Sequence, residues 1–182
     1  MADTSEHLLG VLGDTHGRAD ACRKGVELLE SLGCGHLVHT GDVGDGEMGR
    51  AVLDQLAGTN CRFVWGNNDW DADTLASYAA DLGLTLLPPF GTFELSGITI
   101  AVAHGDDLRR LRKLLADARA GAAGVPDLLL TGHSHLAHDE RAGATRWVNP
   151  GALFRAATKT VATVDLSRLD DPQAVAHHKI AT

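Results

Sequence analysis

LLGVLGDTH, residues 8–16, is a short apolar run that ends in Gly13 and is followed at once by Asp14 and His16. A short apolar run bounded by glycine is typical of a buried strand. The same combination of apolar run, glycine and polar metal-ligating residue recurs four more times along the chain. The recurrences are Gly41-Asp42, Gly66-Asn67-Asn68-Asp69, His104-Gly105 and Gly132-His133-Ser134-His135.

Helical patterns separate the first of these runs. Apolar residues at helical spacing predict a helix between Ala21 and Leu32, ended by Gly33, and residues 47–56 predict a second one. Strands that alternate with helices favour a parallel sheet built from βαβ units. Ligands bind to such sheets beyond the carboxyl ends of the strands. We therefore expect all five polar strand ends to direct their side chains into one cleft.

The second half of the chain contains a predicted hairpin. Ser96-Gly97 separates the runs 90–95 and 98–103, a pattern that predicts two antiparallel strands joined by a tight turn. Residues 108–118 predict an amphipathic helix and residues 127–131 a further strand. Strand-like runs follow around Trp147-Val148 and over residues 160–166. Because no repeat or linker interrupts the chain, we predict one domain over residues 1–182.

The composition predicts a cytoplasmic protein. No apolar run approaches the ~20 residues of a membrane span, and the polar residues 1–7 lack the features of a secretory signal. Cys22, Cys34 and Cys61 are odd in number and widely spaced, which favours buried, reduced thiols. The net charge of -8 argues against broad nucleic-acid binding, which needs a basic surface.

The recurring polar residues are metal ligands without thiolates. Mixed ligation by His nitrogen and by Asp or Asn oxygen suits Mn, Fe, Co, Ni or Zn, and the sequence does not choose among them. Two divalent cations, set against the carboxylates of Asp14 and Asp42 and one hydroxide, would leave a net charge of about +1. A residual positive charge inside an acidic protein would attract the negatively charged group of a phosphate ester.

Taken in order, Asp-x-His, Gly-Asp, Gly-Asn, His and Gly-His-x-His resemble the signature of the calcineurin-like metallophosphoesterase superfamily. The small size and the closing Asn149-Pro150-Gly151 resemble its small bacterial and archaeal phosphodiesterase branch. The resemblance covers residues 8 to about 166. It implies an α/β fold in which two mixed β-sheets pack as a sandwich flanked by helices.

The resemblance also implies a role for each strand-end residue. Asp14, His16 and His135 would hold one divalent metal ion, Asn67, His104 and His133 would hold a second, and Asp42 would bridge them. Mn²⁺ is the first expectation for both ions, with Fe, Ni, Co or Zn as alternatives. A hydroxide that bridges the metals would attack the phosphorus of a small phosphodiester, with Asp42, Asn67, Asn68 and His104 as the catalytic residues.

Asn68 departs from the common motif of the family, in which many members have His. That His is the usual candidate for protonating the leaving group or binding the phosphate, and an asparagine does not titrate near neutrality. The departure predicts a preference for diesters with good leaving groups. Asp69 is a candidate substitute acid, although an Asp at this place is more often a turn residue or a support for the ligands.

Two other functions stay open. One is a phosphomonoesterase or nucleotide pyrophosphatase, and the other is a non-catalytic scaffold, since a retromer subunit resembles this fold and serves mainly in protein assembly. All seven expected ligand positions carry competent residue types here, which favours an enzyme. The oligomeric state is open, and a homo-oligomer is compatible with the sequence.

Several residues near the motifs have both a functional and a structural interpretation. Arg18 and Arg155 are candidates for contacting phosphate or are solvated. Trp70 is a candidate for stacking on a base or aryl group or is packed, whereas Trp65 is expected in the core. The basic residues between 109 and 113 either form a solvated helix face or attract anionic substrates toward the cleft. The six remaining histidines are interpreted as structural or solvated, with His39 as a neighbour of the ligands; they are His7, His36, His39, His138, His177 and His178.

Overall fold

Two mixed β-sheets form the centre of the structure, a computed structural model that describes residues 7–181. In chain order the strands are β1 (Leu8–Leu12), β2 (His36–His39), β3 (Cys61–Phe63), β4 (Thr85–Leu86), β5 (Gly91–Leu95), β6 (Ile98–Val102), β7 (Leu128–Leu130), β8 (Ala137–Ala142), β9 (Thr145–Pro150), β10 (Thr160–Asp165) and β11 (Val175–Lys179). The helices are α1 (Ala19–Ser31), α2 (Gly46–Leu56), α3 (Ala72–Asp81) and α4 (Leu108–Arg119).

The first sheet has the strand order β11-β10-β1-β2-β3-β4, and its strands β1 to β4 are parallel. The second sheet has the order β5-β6-β7-β9-β8, with β6, β7 and β9 parallel and the edge strands β5 and β8 antiparallel. The expected βαβ units are therefore present, and antiparallel strands extend both sheets. The mixed sandwich that the family resemblance implies is confirmed.

β1 shows why the apolar run at residues 8–12 forms a central strand. Its side chains alternate between two cores, because successive residues of a strand point to opposite faces. Leu9 and Val11 pack between the two sheets, whereas Leu12 packs under the helices of the first sheet. A strand buried on both faces has a continuous apolar sequence. A third cluster, with Leu111 and Leu115, packs α4 on the second sheet.

The predicted hairpin is present. β5 and β6 pair antiparallel from Gly91–Val102 to Leu95–Ile98, and Ser96 and Gly97 have φ values of 51° and 77°. Positive φ at both central residues is the property of a type I′ turn, whose twist matches that of the flanking strands.

The sequence patterns do not predict three short strands, β4, β8 and β11. The apolar run over residues 61–65 predicts a strand, whereas β3 ends two residues earlier, at Phe63. β4 has only two residues, while β8 and β11 are edge strands with polar sequences. An edge strand is held mainly by backbone hydrogen bonds to one neighbour, so its side chains carry little apolar signal. Cys22, Cys34 and Cys61 are buried and unpaired, as expected. No helix within residues 7–181 has the length and apolar character needed to cross a bilayer.

Candidate metal centre

The loops after β1, β2, β3, β6 and β7 meet at one edge of the sandwich and are joined by backbone hydrogen bonds. The amides of Asp14 and His16 donate to the carbonyls of Gly41 and Asp42 over 3.0 and 2.8 Å. The amide of Gly132 donates to the carbonyl of His104 over 2.8 Å. Residues that lie far apart in sequence are thus held in a fixed mutual geometry before any ligand binds.

Backbone conformation distinguishes the predicted ligands from the rest of the chain. Eight non-glycine residues within 7–181 have positive φ, and five of them are predicted ligands: Asp14, His16, Asp42, His133 and His135, with φ between 46° and 66°. L-residues adopt this region rarely, and such strain concentrates at functional sites. The left-handed turn directs each side chain from its strand end into the shared cleft.

Close approach requires glycine at two of the flanking positions. A Cβ atom on Gly132 would lie 2.8 Å from Oδ2 of Asp14, and one on Gly66 would overlap the carboxylate of Asp42. Any side chain at these two places would displace a predicted ligand, which explains physically why glycine accompanies the ligands in the sequence pattern.

One group of donors surrounds Asp14. One possible ligand atom from each of Asp14, His16, Asp42 and His135 lies within 4.8 Å of the others, a spacing suited to a metal ion. Nε2 of His135 is 3.4 Å from Oδ1 of Asp14. Nε2 of His16 is 3.3 Å from Nε2 of His135 and 3.4 Å from Oδ2 of Asp42. Two imidazole nitrogens that face each other beside two carboxylates form a donor set that a cation would satisfy.

A second group surrounds His104 and shares Asp42. Nε2 of His104 lies 3.1 Å from Oδ1 of Asn67 and 3.4 Å from Oδ2 of Asp42. The ring of His133 packs edge-on against that of His104, with centroids 5.1 Å apart. Nδ1 of His104 donates to the carbonyl of Thr40 over 3.0 Å, so Nε2 is the nitrogen that faces the other donors.

The electrostatics of Asp14 favour a positive charge at this place. Its side chain is completely buried, and burial raises the pKa of the carboxyl to about 7, although the charge of His104 works in the opposite direction. The amide of His133 donates to both carboxylate oxygens over 3.1 Å. A buried carboxylate is costly unless a cation or hydrogen bonds compensate it, and a divalent ion would provide that compensation.

Asp42 and His104 form the other charged pair. Burial works to raise the pKa of Asp42, but hydrogen bonds from His104 and Asn68 outweigh it and hold the pKa below its ordinary value. Burial works to lower the pKa of His104, but the hydrogen bond and charge of Asp42 raise it to about 9. Without metal, a proton on Nε2 of His104 therefore occupies the place of a cation.

Asn68 supports Asp42 directly. Its backbone amide donates to Oδ1 of Asp42 over 3.0 Å, and its side-chain amide donates to Oδ2 over 2.9 Å. The position at which the family motif has His is thus used here to orient the carboxylate shared by the two donor groups. This contact depends on the tertiary fold and carries no signal in the sequence.

Asp69 holds two loops together through hydrogen bonds to their backbone amides. Its oxygens accept hydrogen bonds from the amides of Gly44 and Gly66 over 2.8 and 2.7 Å, and the side chain is 7% exposed. Burial raises its pKa to about 6, although these amide hydrogen bonds work against the rise. Both oxygens are occupied by backbone donors, so the structure favours the supporting role over that of a substitute acid.

His39 and Asn149 support the donors from behind. Buried His39 accepts from the amide of Gly41 at Nδ1, and its Nε2 lies 3.1 Å from Oγ1 of Thr15; burial lowers its pKa to about 3, so it is neutral. The side-chain amide of Asn149 donates to the carbonyl of Gly132 over 2.7 Å and to Oγ of Ser134 over 3.1 Å. Asn149 thereby holds the loop that carries His133 and His135.

Other residues singled out in the sequence lie around the rim. Arg18 and Arg155 are exposed, and their guanidinium groups lie 4.7 and 5.1 Å from the ring centre of Phe154, which packs beside His16. Trp65 is partly buried against Phe63, as expected, whereas the packing interpretation of Trp70 is wrong because its side chain is 80% exposed. The basic residues between 109 and 113 are exposed on α4.

Comparisons with known proteins give matches in sequence and in fold. The model of the calcineurin-like phosphoesterase superfamily domain matches residues 8–170. A phosphodiesterase of Methanocaldococcus jannaschii is 22% identical over 146 residues, 79% of this chain and 82% of that protein. A probable metallophosphoesterase of Mycoplasma pneumoniae is 29% identical over 149 residues, 79% of this chain and 77% of that protein. The solved structure of an archaeal phosphodiesterase superposes with a TM-score of 0.79 at 19% identity, covering 94% of this chain and 99% of the other.

Proposed function

Because this chain belongs to the calcineurin-like phosphoesterase superfamily, we propose that it hydrolyses phosphodiesters at a centre of two divalent cations. One observation carries the proposal: Oδ2 of Asp42 lies 3.4 Å from Nε2 of both His16 and His104. A carboxylate shared between two groups of donors is suited to bridging two metal ions. The phosphodiesterase name of the archaeal relative supports the choice of diester.

The seven predicted ligands divide into two sets around Asp42. Asp14, His16 and His135 would hold one cation and Asn67, His104 and His133 the other. The donors are nitrogen and oxygen atoms only, which suits Mn²⁺ and also Fe, Co, Ni or Zn. We take Mn²⁺ as the first metal to test, and the assignment of each ligand stays a prediction.

Two bound cations would lower the pKa of a coordinated water and neutralise negative charge on the phosphoryl group. The chain's own residues hold the donors in place for this chemistry. The hydrogen bond from Nδ1 of His104 to Thr40 sets the tautomer that leaves Nε2 free to ligate. The two bonds from Asn68 orient Asp42. Removal of such supporting contacts typically lowers metal affinity or activity about 10- to 100-fold.

Position 68 provides no titratable side chain that could protonate the leaving group. The amide of Asn68 is engaged with Asp42, and Asp69 is tied to backbone amides. Esters whose leaving group departs as a stable anion need no proton from the enzyme, so diesters with acidic leaving groups are the best substrates of this proposal.

Metal content and hydrolysis test the proposal together. Protein that is stripped by chelator and reloaded with Mn²⁺ is expected to hold two equivalents and to hydrolyse bis-p-nitrophenyl phosphate faster than p-nitrophenyl phosphate, which has the same leaving group. Mass spectrometry of the metals and release of p-nitrophenolate measure the two quantities. A protein that takes up two metals but prefers the monoester would support a phosphomonoesterase instead. A metal-free, inert protein would support the scaffold, which the complete donor set argues against.

Replacing Asn68 by histidine is expected to give a kcat/KM on esters with poor leaving groups at least about tenfold above that of Asn68→Ala, because both variants lose the amide contact to Asp42 and only the imidazole adds a titratable proton donor. The dependence of log kcat/KM on leaving-group pKa, measured over a series of phenyl phosphodiesters, should become shallower. Asn68→Ala is the matched control, since it removes the amide contact to Asp42 without adding an acid. If Asn68→His binds both metals and shows no gain on any ester, the missing acid does not limit this enzyme.

A further inference from the structure

A cavity of about 370 Å³ is lined by His133, one of the predicted metal ligands. Its wall includes His133 and Ser134 from the ligand loop, and it continues over Leu108, Leu136 and Trp147. The volume lies at the lower end of the range of small-molecule pockets, about 300–1,000 Å³. A group bound at the second set of donors would therefore have this cavity as its immediate neighbour.

Two large apolar side chains at the cavity are open to solvent. Leu136 is 70% exposed and Leu108 is 50% exposed. The same loops that carry the donors position them, because Leu136 directly follows His135 and Leu108 follows His104 by four residues. Exposed apolar groups gathered beside a site of polar chemistry mark a surface that is covered when a ligand binds.

Two polar side chains of the wall are hydrogen-bonded within the protein. The indole N–H of Trp147 donates to Oγ1 of Thr131 over 2.8 Å. Oγ of Ser134 accepts from the side chain of Asn149 over 3.1 Å. The wall thus offers a ligand mainly hydrocarbon and ring surface, so it discriminates by apolar contact.

A second cavity has a different character. Its volume is about 550 Å³, and it is lined by Arg18, Lys24 and Lys159 together with Phe154, which packs beside His16. The cavity at His133 thus has a mainly apolar wall, whereas the cavity near His16 has cationic side chains. A symmetrical polar diester would leave Leu108 and Leu136 exposed to solvent, whereas a diester with one apolar ester group would cover them.

We propose that the cavity beside His133 is a subsite for an apolar alkyl or aryl ester group of the substrate. The inference rests on the proposed function and narrows its substrate class to phosphodiesters that carry at least one such group. Leu108, Leu136 and Trp147 are the residues that determine specificity for it. Burial of the group contributes chiefly to binding, because an apolar contact is the same in the substrate and in the transition state.

A series of n-alkylphosphonates from methyl to hexyl tests the subsite on the Mn²⁺-loaded protein. The phosphonate head binds at the metal centre, and burial of each methylene should lower Kd about two- to fourfold, so hexylphosphonate should bind at least about 30-fold more tightly than methylphosphonate. Inhibition of diester hydrolysis and the fluorescence of Trp147 both measure Kd. The fluorescence change should disappear in Trp147→Phe.

Variants at the exposed leucines decide where the alkyl chain lies. Leu108→Ser/Leu136→Ser should reduce the methyl-to-hexyl ratio to less than about fivefold, and both side chains are exposed enough for the fold to tolerate the change. Met48→Ser is the matched control, because Met48 is 63% exposed and does not line the cavity. A Kd independent of chain length, or a dependence that survives the double variant, would overturn the proposal.

Failure of the subsite and failure of the proposed function give different results. A chain-length dependence in a protein that hydrolyses no diester would keep the subsite and reject the hydrolase. Hydrolysis of diesters without a dependence of Kd on alkyl chain length would support the hydrolase and reject the subsite. If the phosphonate head does not bind, n-hexanol is the probe: a change in Trp147 fluorescence that is lost in the double variant supports the subsite, and the absence of any change rejects it.

Discussion

Replacing Asp42 by asparagine is expected to lower kcat/KM for a phosphodiester at least about 100-fold at limiting metal. Asp42 is 1% exposed, and its carboxylate lies against His16, His104 and Asn68. Removing one partner of a buried charged group costs about 3–5 kcal/mol, which corresponds to roughly 10²- to 10³-fold or more in affinity for a cation. The amide also places a second N–H donor opposite that of Asn68.

Asp45→Asn is the matched control for this substitution. Asp45 belongs to the same loop, and its carboxylate accepts from the amides of Trp70 and Asp71, a role that an asparagine oxygen keeps. Metal content by mass spectrometry and initial rates over a range of Mn²⁺ concentrations separate lost affinity from lost chemistry. Asp42→Asn with the metal content and rate of the wild type would show that Asp42 does not bridge the centre.

Removal of metal is the second change with a large expected effect, and it should lower the melting temperature by about 8–15 °C. A ligand present at about 1,000 times its Kd stabilises the folded state by about 4 kcal/mol, and each kcal/mol corresponds to roughly 2–4 °C in a domain of this size. The loss should be large here because Asp14 and Asp42 are both buried and would lose their counter-charge.

The stabilisation by metal should increase as the pH rises from 6.5 to 9. In the metal-free protein, Asp42 raises the pKa of His104 from 6.5 to about 9, so protonated His104 stabilises the fold below pH 6.5 and this contribution is lost as the pH passes 9. The difference corresponds to roughly 3 kcal/mol. Burial raises the pKa of Asp14 to about 7, so its proton is lost in the lower part of the same window. The lowered pKa of His39, about 3, acts only below pH 6.5.

Thermal unfolding of stripped and Mn²⁺-loaded protein between pH 6 and 9 measures both effects. Asp14→Asn should raise the melting temperature of the metal-free protein above pH 7, because the buried carboxylate is neutralised, and it should also remove most of the stabilisation by metal. Asp106→Asn replaces an exposed acid in the loop that follows β6 and should change neither. Equal melting temperatures with and without Mn²⁺ at every pH would show that these carboxylates serve only the fold.

The strands and turns that carry the candidate ligands could be predicted from the sequence, whereas two edge strands could not. A buried strand needs apolar residues on both faces, so the strand before Asp14 could be predicted from the sequence. A sharp turn into a cleft favours glycine, so the glycines beside Asp42 and His133 could be recognised as turn residues. The edge strands β8 and β11 left no such pattern, because a strand held by backbone bonds at an edge needs no particular side chains.

From the sequence, Leu108 of the apolar subsite was predicted only as part of a helix. Leu108 fitted the helical periodicity of residues 108–118, yet its side chain is half exposed beside His133. Trp70 was likewise ambiguous and is exposed at the rim. Whether an apolar side chain is covered depends on which other segments pack over it, and local periodicity does not contain that information.

By itself, the sequence determined the family, the sandwich of mixed sheets and the list of candidate ligands, because each of these depends on residue type and order along the chain. The tertiary structure alone decided that Asn68 orients the carboxylate of Asp42 and that Asp69 is occupied by backbone amides. These properties depend on contacts between loops that lie 25 and 26 residues apart in the chain. Only folding brings such loops within hydrogen-bonding range, so chain order alone cannot specify them.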